Sequence, residues 1–116
     1  MAAREERDET VLIHGAKWRV ADLEDAVTNC RASAWAKARW HPRSALRDRS
    51  SGATTVYEGQ PYDPEQVELV SDGWDHDHCQ VCWWTLSESA DPAESAGYTN
   101  GHDWICAECF ERFVAK

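Results

Sequence analysis

The sequence predicts an α+β fold: one small domain with an N-terminal helix, short antiparallel strands and a second helix at the C-terminus. Three observations support this. A chain of 116 residues with 42% hydrophobic residues and seven tryptophans has enough apolar surface for a modest core. One stretch has apolar residues at helical spacing. Elsewhere, short runs rich in β-branched and aromatic residues alternate with glycine and proline turn signals.

The N-terminal part divides into an arm and a folded segment. Residues 1–10 are highly charged and predict a flexible arm. Residues 11–73 are expected to form the N-terminal α+β part, which opens with a strand over residues 11–20 that is broken near Gly15.

A helix is predicted over residues 22–40. Asp22 can cap its first turn, and Leu23, Val27, Cys30 and Ala34 recur on one face. Pro42 predicts its end near Trp40. Cys30 lies on the apolar stripe, so we expect a buried small hydrophobe rather than a nucleophile.

Shorter elements are expected further along the chain. Strands are predicted at residues 54–57, 67–70 and 83–86, and residues 87–97 have the small, polar composition of an exposed loop. Asn100-Gly101 is a turn signal before another short strand. From Cys106 onward, apolar residues at helical spacing predict the terminal helix.

Four cysteines in two close pairs carry the strongest chemical signal. The pattern is Cys79-x2-Cys82, then 23 residues, then Cys106-x2-Cys109. A two-residue gap allows one tight turn to present two sulfurs to the same ion, and two such turns complete a tetrahedral shell. We therefore expect a structural Zn²⁺ site, although the spacing alone does not separate zinc from iron.

Residues 74–116 resemble the treble-clef family of zinc fingers. In that family a Cys-x2-Cys turn, a hairpin and a helix bearing the second Cys-x2-Cys follow one another, and zinc ribbons share the spacing but lack the helix. The resemblance implies a treble-clef-like zinc unit with a structural metal and leaves activity open. The whole chain also resembles small bacterial immunity or accessory proteins.

Histidines near the cysteines raise a second possibility. His76, His78 and His102 are candidates for groups that hydrogen-bond around the metal or for alternative ligands. The run Asp75-His76-Asp77-His78 is similar to that of His-finger nucleases of the endonuclease VII type. There, however, the run lies between the two cysteine pairs, whereas here it precedes both. We assign no catalytic residue and expect no enzyme, with a metal-dependent nuclease as the alternative.

Charge favours a protein partner. Residues 1–60 hold ten Lys and Arg against nine Asp and Glu, whereas residues 61–116 hold two against twelve. The acidic half repels phosphate backbones and anionic lipids and suits a basic protein, such as the target of an immunity protein or antitoxin. Candidate partner contacts are Trp83, Trp84, Arg39 and Arg43. Nucleic-acid binding through the basic stretch 31–49 is a further alternative.

No signal-peptide core or membrane span is recognisable near the start, so we expect a cytoplasmic protein. Thiols stay reduced in that compartment, which favours a metal over disulfides for the paired cysteines. The sequence leaves the oligomeric state open.

Overall fold

The structure of the protein, a computed structural model, describes residues 9–115. Its mixed architecture agrees with the α+β class. The strands are β1 Thr10–Ile13, β2 Ala16–Arg19, β3 Ala36–Arg39, β4 Arg43–Asp48, β5 Thr54–Val56, β6 Val67–Trp74, β7 His76–His78, β8 Thr85–Ser87, β9 Ala96–Thr99 and β10 Trp104–Cys106. The helices are α1 Val20–Arg31, α2 Pro92–Ser95 and α3 Ala107–Cys109, and a π-helical turn Phe110–Val114 continues α3.

The strands form four small antiparallel sheets. Two are hairpins, β1-β2 and β7-β8, and two have three strands in the orders β10-β9-β3 and β5-β4-β6. The sheet β10-β9-β3 joins the two halves of the chain, since β3 pairs with β9 with Ala38 opposite Gly97. It also carries Cys106, the first cysteine of the second pair, at the end of β10.

The N-terminal strand prediction resolves into a hairpin. β1 and β2 pair with Ile13 opposite Ala16, and the two residues between them, His14 and Gly15, have φ angles of 50° and 79°. Two positive φ angles match the twist of a tight hairpin turn. Thr10 already belongs to β1, so the prediction of an arm over residues 1–10 is wrong at its last residue, and residues 1–8 lie outside the described residues.

The predicted helix over residues 22–40 is wrong in both of its boundaries. α1 starts at Val20 with Arg19 at the cap position and no side-chain cap, so Asp22 lies in the first turn. It ends at Arg31, and Trp35 donates its indole N–H to the Cys30 carbonyl at 2.7 Å. The residues beyond form β3, because pairing with β9 supplies backbone hydrogen bonds that local helical spacing does not reveal.

Most buried side chains form one cluster around the cysteines. Ile13 from β1, with Leu23 and Cys30 from α1, packs into the same cluster as all four paired cysteines and Ile105. A smaller cluster contains Trp40, Leu86 and Trp104. The N-terminal hairpin and α1 thus share a core with the cysteine-bearing segment.

Two further predictions in the C-terminal part need correction. The strand expected at residues 83–86 begins only at Thr85, because Trp83 has a φ of 66° and cannot extend the strand. The loop expected at residues 87–97 contains α2, which starts where the Asp91 carboxylate accepts a hydrogen bond from the Ala93 amide at 2.9 Å. Of the helices in the described residues, none has the length and hydropathy to cross a membrane.

Candidate metal centre

The four paired cysteines converge on one buried point. Their sulfur atoms all lie within 4.8 Å of one another, and the Sγ atoms of Cys82 and Cys106 are 3.7 Å apart. Tetrahedral coordination with Zn–S bonds of about 2.3 Å requires sulfur separations of roughly 3.8 Å. All four side chains are buried. The set could hold a metal ion, and within residues 9–115 it is the only cluster of three or more potential ligands that converges in this way.

Local turns aim the sulfurs inward. The Sγ atom of Cys79 accepts hydrogen bonds from the amides of Val81 at 3.4 Å and Cys82 at 3.5 Å. In the second pair, the Cys106 sulfur accepts from the Cys109 amide at 3.4 Å and caps α3. Amide donors stabilise negative charge on sulfur, which is the form that binds a metal. Each turn therefore supplies one of its sulfurs with backbone amide donors.

The paired cysteines differ in the direction in which their pKa values are shifted. Hydrogen bonding from the Cys106 thiol, followed by that from Cys109, holds the pKa of Cys79 well below its usual range. The pKa of Cys109 is well above its usual range, because its thiol hydrogen-bonds toward Cys106 and because negative charge on Cys79 opposes a further ionisation. A divalent cation that displaces these protons relieves the repulsion among the sulfurs.

The family models searched, the curated proteins and the solved structures contain no significant match to this chain. If all four sulfurs bound one tetrahedral ion, they would fill its shell and leave no position for a substrate or a water molecule.

His14, which the sequence pattern did not single out, touches the site. Its Nε2 atom lies 3.3 Å from the Cys106 sulfur, and its ring stacks on Trp84 with a centroid distance of 3.9 Å. Its backbone amide donates to the Glu108 carboxylate at 3.3 Å. Arg112 donates to the same carboxylate at 3.0 Å and also to the Leu12 carbonyl. The turn of the N-terminal hairpin is thereby attached directly to the second cysteine pair.

The three histidines selected from the sequence lie elsewhere. His102 is exposed and lies 3.0 Å from the Glu58 carboxylate, and the Nδ1 atom of His76 lies 2.7 Å from Asp75. His78 stacks on Trp83. Among the hydrogen bonds of residues 9–115, only that of His14 joins a histidine to a cysteine sulfur. The signal that could have indicated His14 is the His-Gly pair between two short apolar strands.

The surroundings of Asp77 differ from those of its neighbours His76 and His78. Its Oδ2 atom accepts hydrogen bonds from the indole N–H groups of Trp40 at 2.9 Å and Trp74 at 3.1 Å, and from Arg43 at 3.4 Å. A strand alternates its side chains, so Asp77 faces the small tryptophan cluster while His76 and His78 face outward. The aspartate thus links the N-terminal part to the strand before the first cysteine.

The four candidate partner contacts differ in exposure and pairing. Trp83 is 66% exposed, whereas Trp84 packs on the core and donates its indole N–H to the Ala93 carbonyl at 2.8 Å. Arg43 pairs with Asp77, and Arg39 donates to the Ser89 carbonyl at 3.2 Å. Other arginines of the basic stretch are also engaged: Arg47 and Arg49 pair with Glu68, and Arg31 binds the Phe113 carbonyl.

Cys30 packs in the same core but is not one of the four converging cysteines. It is 5% exposed, and burial, with the negative charges of Cys79 and Asp103, raises the pKa of its thiol to about 11. At neutral pH the group is therefore a protonated thiol with little nucleophilic character.

Proposed function

We propose that this protein is a non-enzymatic module that a structural Zn²⁺ ion holds together and that binds a basic protein partner through its acidic C-terminal half. The observation that carries the proposal is the convergence of four buried cysteine sulfurs to within 4.8 Å of one another. A zinc ion with four cysteine ligands has no open position for catalysis and contributes mainly to folding.

The arrangement of the C-terminal half supports a treble-clef-like unit. The Cys79–Cys82 turn is followed, after β8 and α2, by the hairpin β9-β10, and Cys106 caps α3 at the end of that hairpin. This is the order of elements in the family that the cysteine spacing resembles. Four reduced thiols also suit a cytoplasmic location.

The charge distribution along the chain favours a basic protein as the partner. The twelve acidic residues in positions 61–116 outnumber the two basic ones, while several arginines of the basic stretch are engaged inside the molecule. An acidic surface steers a basic protein toward it and repels nucleic acid. An immunity protein, an antitoxin or an accessory factor that acts on a nucleic-acid-handling protein fits this description.

The test uses the purified full-length chain. Elemental analysis is expected to give one zinc per chain, and affinity capture from cells that express the protein is expected to recover a specific basic protein whose retention falls as salt rises. Reversing the charge of the exposed residues Glu65 and Glu111 to lysine is expected to weaken the capture without loss of zinc. Recovery of no specific protein, together with metal-dependent cleavage of DNA or RNA, would favour the nuclease alternative.

A further inference from the structure

An exposed tryptophan stands at the end of the first cysteine turn. Trp83 follows Cys82 directly, is 66% exposed and has a φ of 66°. A left-handed backbone favours glycine, and an exposed indole contributes little to the core, so neither backbone nor burial accounts for tryptophan here. Its amide donates to the Cys79 carbonyl at 3.0 Å, which fixes the residue to the cysteine turn.

Two histidine rings lie in a row beside Trp83. His78 stacks against it with a centroid distance of 4.2 Å and an angle of 3° between the rings, and His76 meets His78 edge-on at 4.9 Å. His76 in turn lies 2.7 Å from the Asp75 carboxylate, which is 79% exposed. Since His78 covers one face of the indole, the exposed area of Trp83 belongs to its other face and its edge.

These residues line a groove of about 540 Å³, which we name the Trp83 groove; Trp74 and Gln80 also contribute to its wall. None of its lining residues is a lysine or an arginine. The groove therefore combines exposed aromatic surface with an exposed carboxylate, whose neighbouring basic group is the histidine His76.

We propose that the Trp83 groove binds an arginine or lysine side chain of the protein partner, with the charged group beside Asp75 and the alkyl stem against the exposed edge of Trp83. Long basic side chains pack their alkyl stems on apolar surface while the charged end reaches a carboxylate, and an aromatic anchor held on a rigid turn loses little entropy on binding. This inference rests on the proposed function and names the part of the acidic half that the partner contacts.

The positive φ of Trp83 makes glycine a suitable replacement for testing the role of the indole. Trp83→Gly removes the indole but suits the positive φ, so its melting temperature is expected to equal or exceed that of the wild type. Asp75→Asn removes the carboxylate charge and retains the size of the side chain. Both residues lie outside the metal ligands, so zinc content is expected to stay unchanged.

The probe is a short peptide with two arginines, compared with the same peptide in which citrulline replaces arginine, and binding is followed through the indole NMR signals of the zinc-loaded full-length protein. The arginine peptide is expected to shift the Trp83 signal saturably and to bind roughly two- to fivefold more tightly than the citrulline peptide. Asp75→Asn is expected to remove this preference for arginine, and Trp83→Gly, followed through the signal of Trp74 in the groove wall, is expected to weaken the binding of both peptides.

Equal affinity for the two peptides, or shifts confined to other tryptophans, would overturn the inference, as would tighter binding of a single-stranded oligonucleotide to the groove. Failure of this inference differs from failure of the proposed function. If Trp83→Gly still captures the basic partner with wild-type affinity, the partner binds elsewhere on the acidic half and only the assignment of the groove fails.

Discussion

His14 and Cys106 lie 92 positions apart in the chain, and the Nε2 atom of the histidine is 3.3 Å from the sulfur of the cysteine. The contact is possible because a tight turn with two positive φ angles projects His14 from the N-terminal hairpin. A histidine N–H that donates to a thiolate offsets part of the net charge of −2 on a tetrathiolate zinc site. The N-terminal hairpin thus contributes a side chain to the surroundings of the candidate metal centre.

Replacing His14 is expected to weaken metal binding without unfolding the hairpin. His14→Asn is the informative change, because Asn-Gly is a strongly preferred pair in such turns, while the shorter side chain withdraws the donor from Cys106. Loss of a group that hydrogen-bonds to a ligand typically lowers metal affinity about 10- to 100-fold. Competition with a chromophoric chelator measures the change.

His102→Ala is the matched control for that experiment, because His102 is exposed and is paired with Glu58. Its zinc affinity is expected to equal that of the wild type. An unchanged affinity in His14→Asn would show that the contact with Cys106 does not support the metal.

Removing the metal is expected to unfold more than the C-terminal part. Structural zinc contributes about 10–16 kcal/mol in isolated fingers, which is comparable with the whole stability of a domain. Here the four cysteines also share the main core with β1 and α1. Chelation and Cys106→Ser should both reduce the circular dichroism of strands and of α1.

Cys30→Ala controls for the loss of a buried thiol, since it should lower stability modestly but leave the zinc content unchanged. A circular dichroism spectrum that stays the same after complete metal removal would contradict a folding role for the ion.

Asp77→Ala is expected to destabilise the protein by roughly 2–5 kcal/mol. The change leaves the indole N–H groups of Trp40 and Trp74 without their acceptor, and unpaired groups cost about 1–3 kcal/mol each when buried. The side chain of Asp77 is only 16% exposed, so water replaces the acceptor poorly. Urea unfolding followed by tryptophan fluorescence measures the loss.

The conservative Asp77→Asn variant keeps an acceptor oxygen and should lose less, and Asp75→Asn, at an exposed carboxylate, should change stability by less than about 0.5 kcal/mol. Equal stabilities for Asp77→Ala and Asp75→Asn would mean that the tryptophan cluster does not depend on Asp77.

Cys30 should resist alkylation in the folded, metal-loaded protein. With its pKa raised to about 11, the thiolate fraction at pH 8 is roughly one in a thousand, and the fraction grows only as the pH approaches that value. Mass spectrometry after iodoacetamide treatment is expected to show one slowly reacting cysteine and four that the metal protects.

All five thiols should react rapidly once the protein is unfolded without metal. Fast, stoichiometric modification of Cys30 in the native protein at pH 8 would instead indicate an accessible nucleophile and would reopen a catalytic role for this residue.

The sequence by itself determined the elements whose signals are local. Two residues between paired cysteines allow each pair to form a tight turn, so the spacing alone identifies Cys79, Cys82, Cys106 and Cys109 as one candidate ligand set, and the structure brings their sulfurs together. The interruption at Gly15 and the turn at Asn100-Gly101 were also predictable, because a particular backbone conformation requires those residue types.

Only the tertiary structure decided the features that depend on distant partners. Residues 36–39 have a helical pattern but form β3, since strand β9 supplies their hydrogen bonds. His14, rather than the histidines close in sequence to the cysteines, contacts a cysteine sulfur, and Asp77 accepts hydrogen bonds from two tryptophans. The spacing of residues records which groups are neighbours along the backbone, whereas these contacts depend on the packing of separate elements in space.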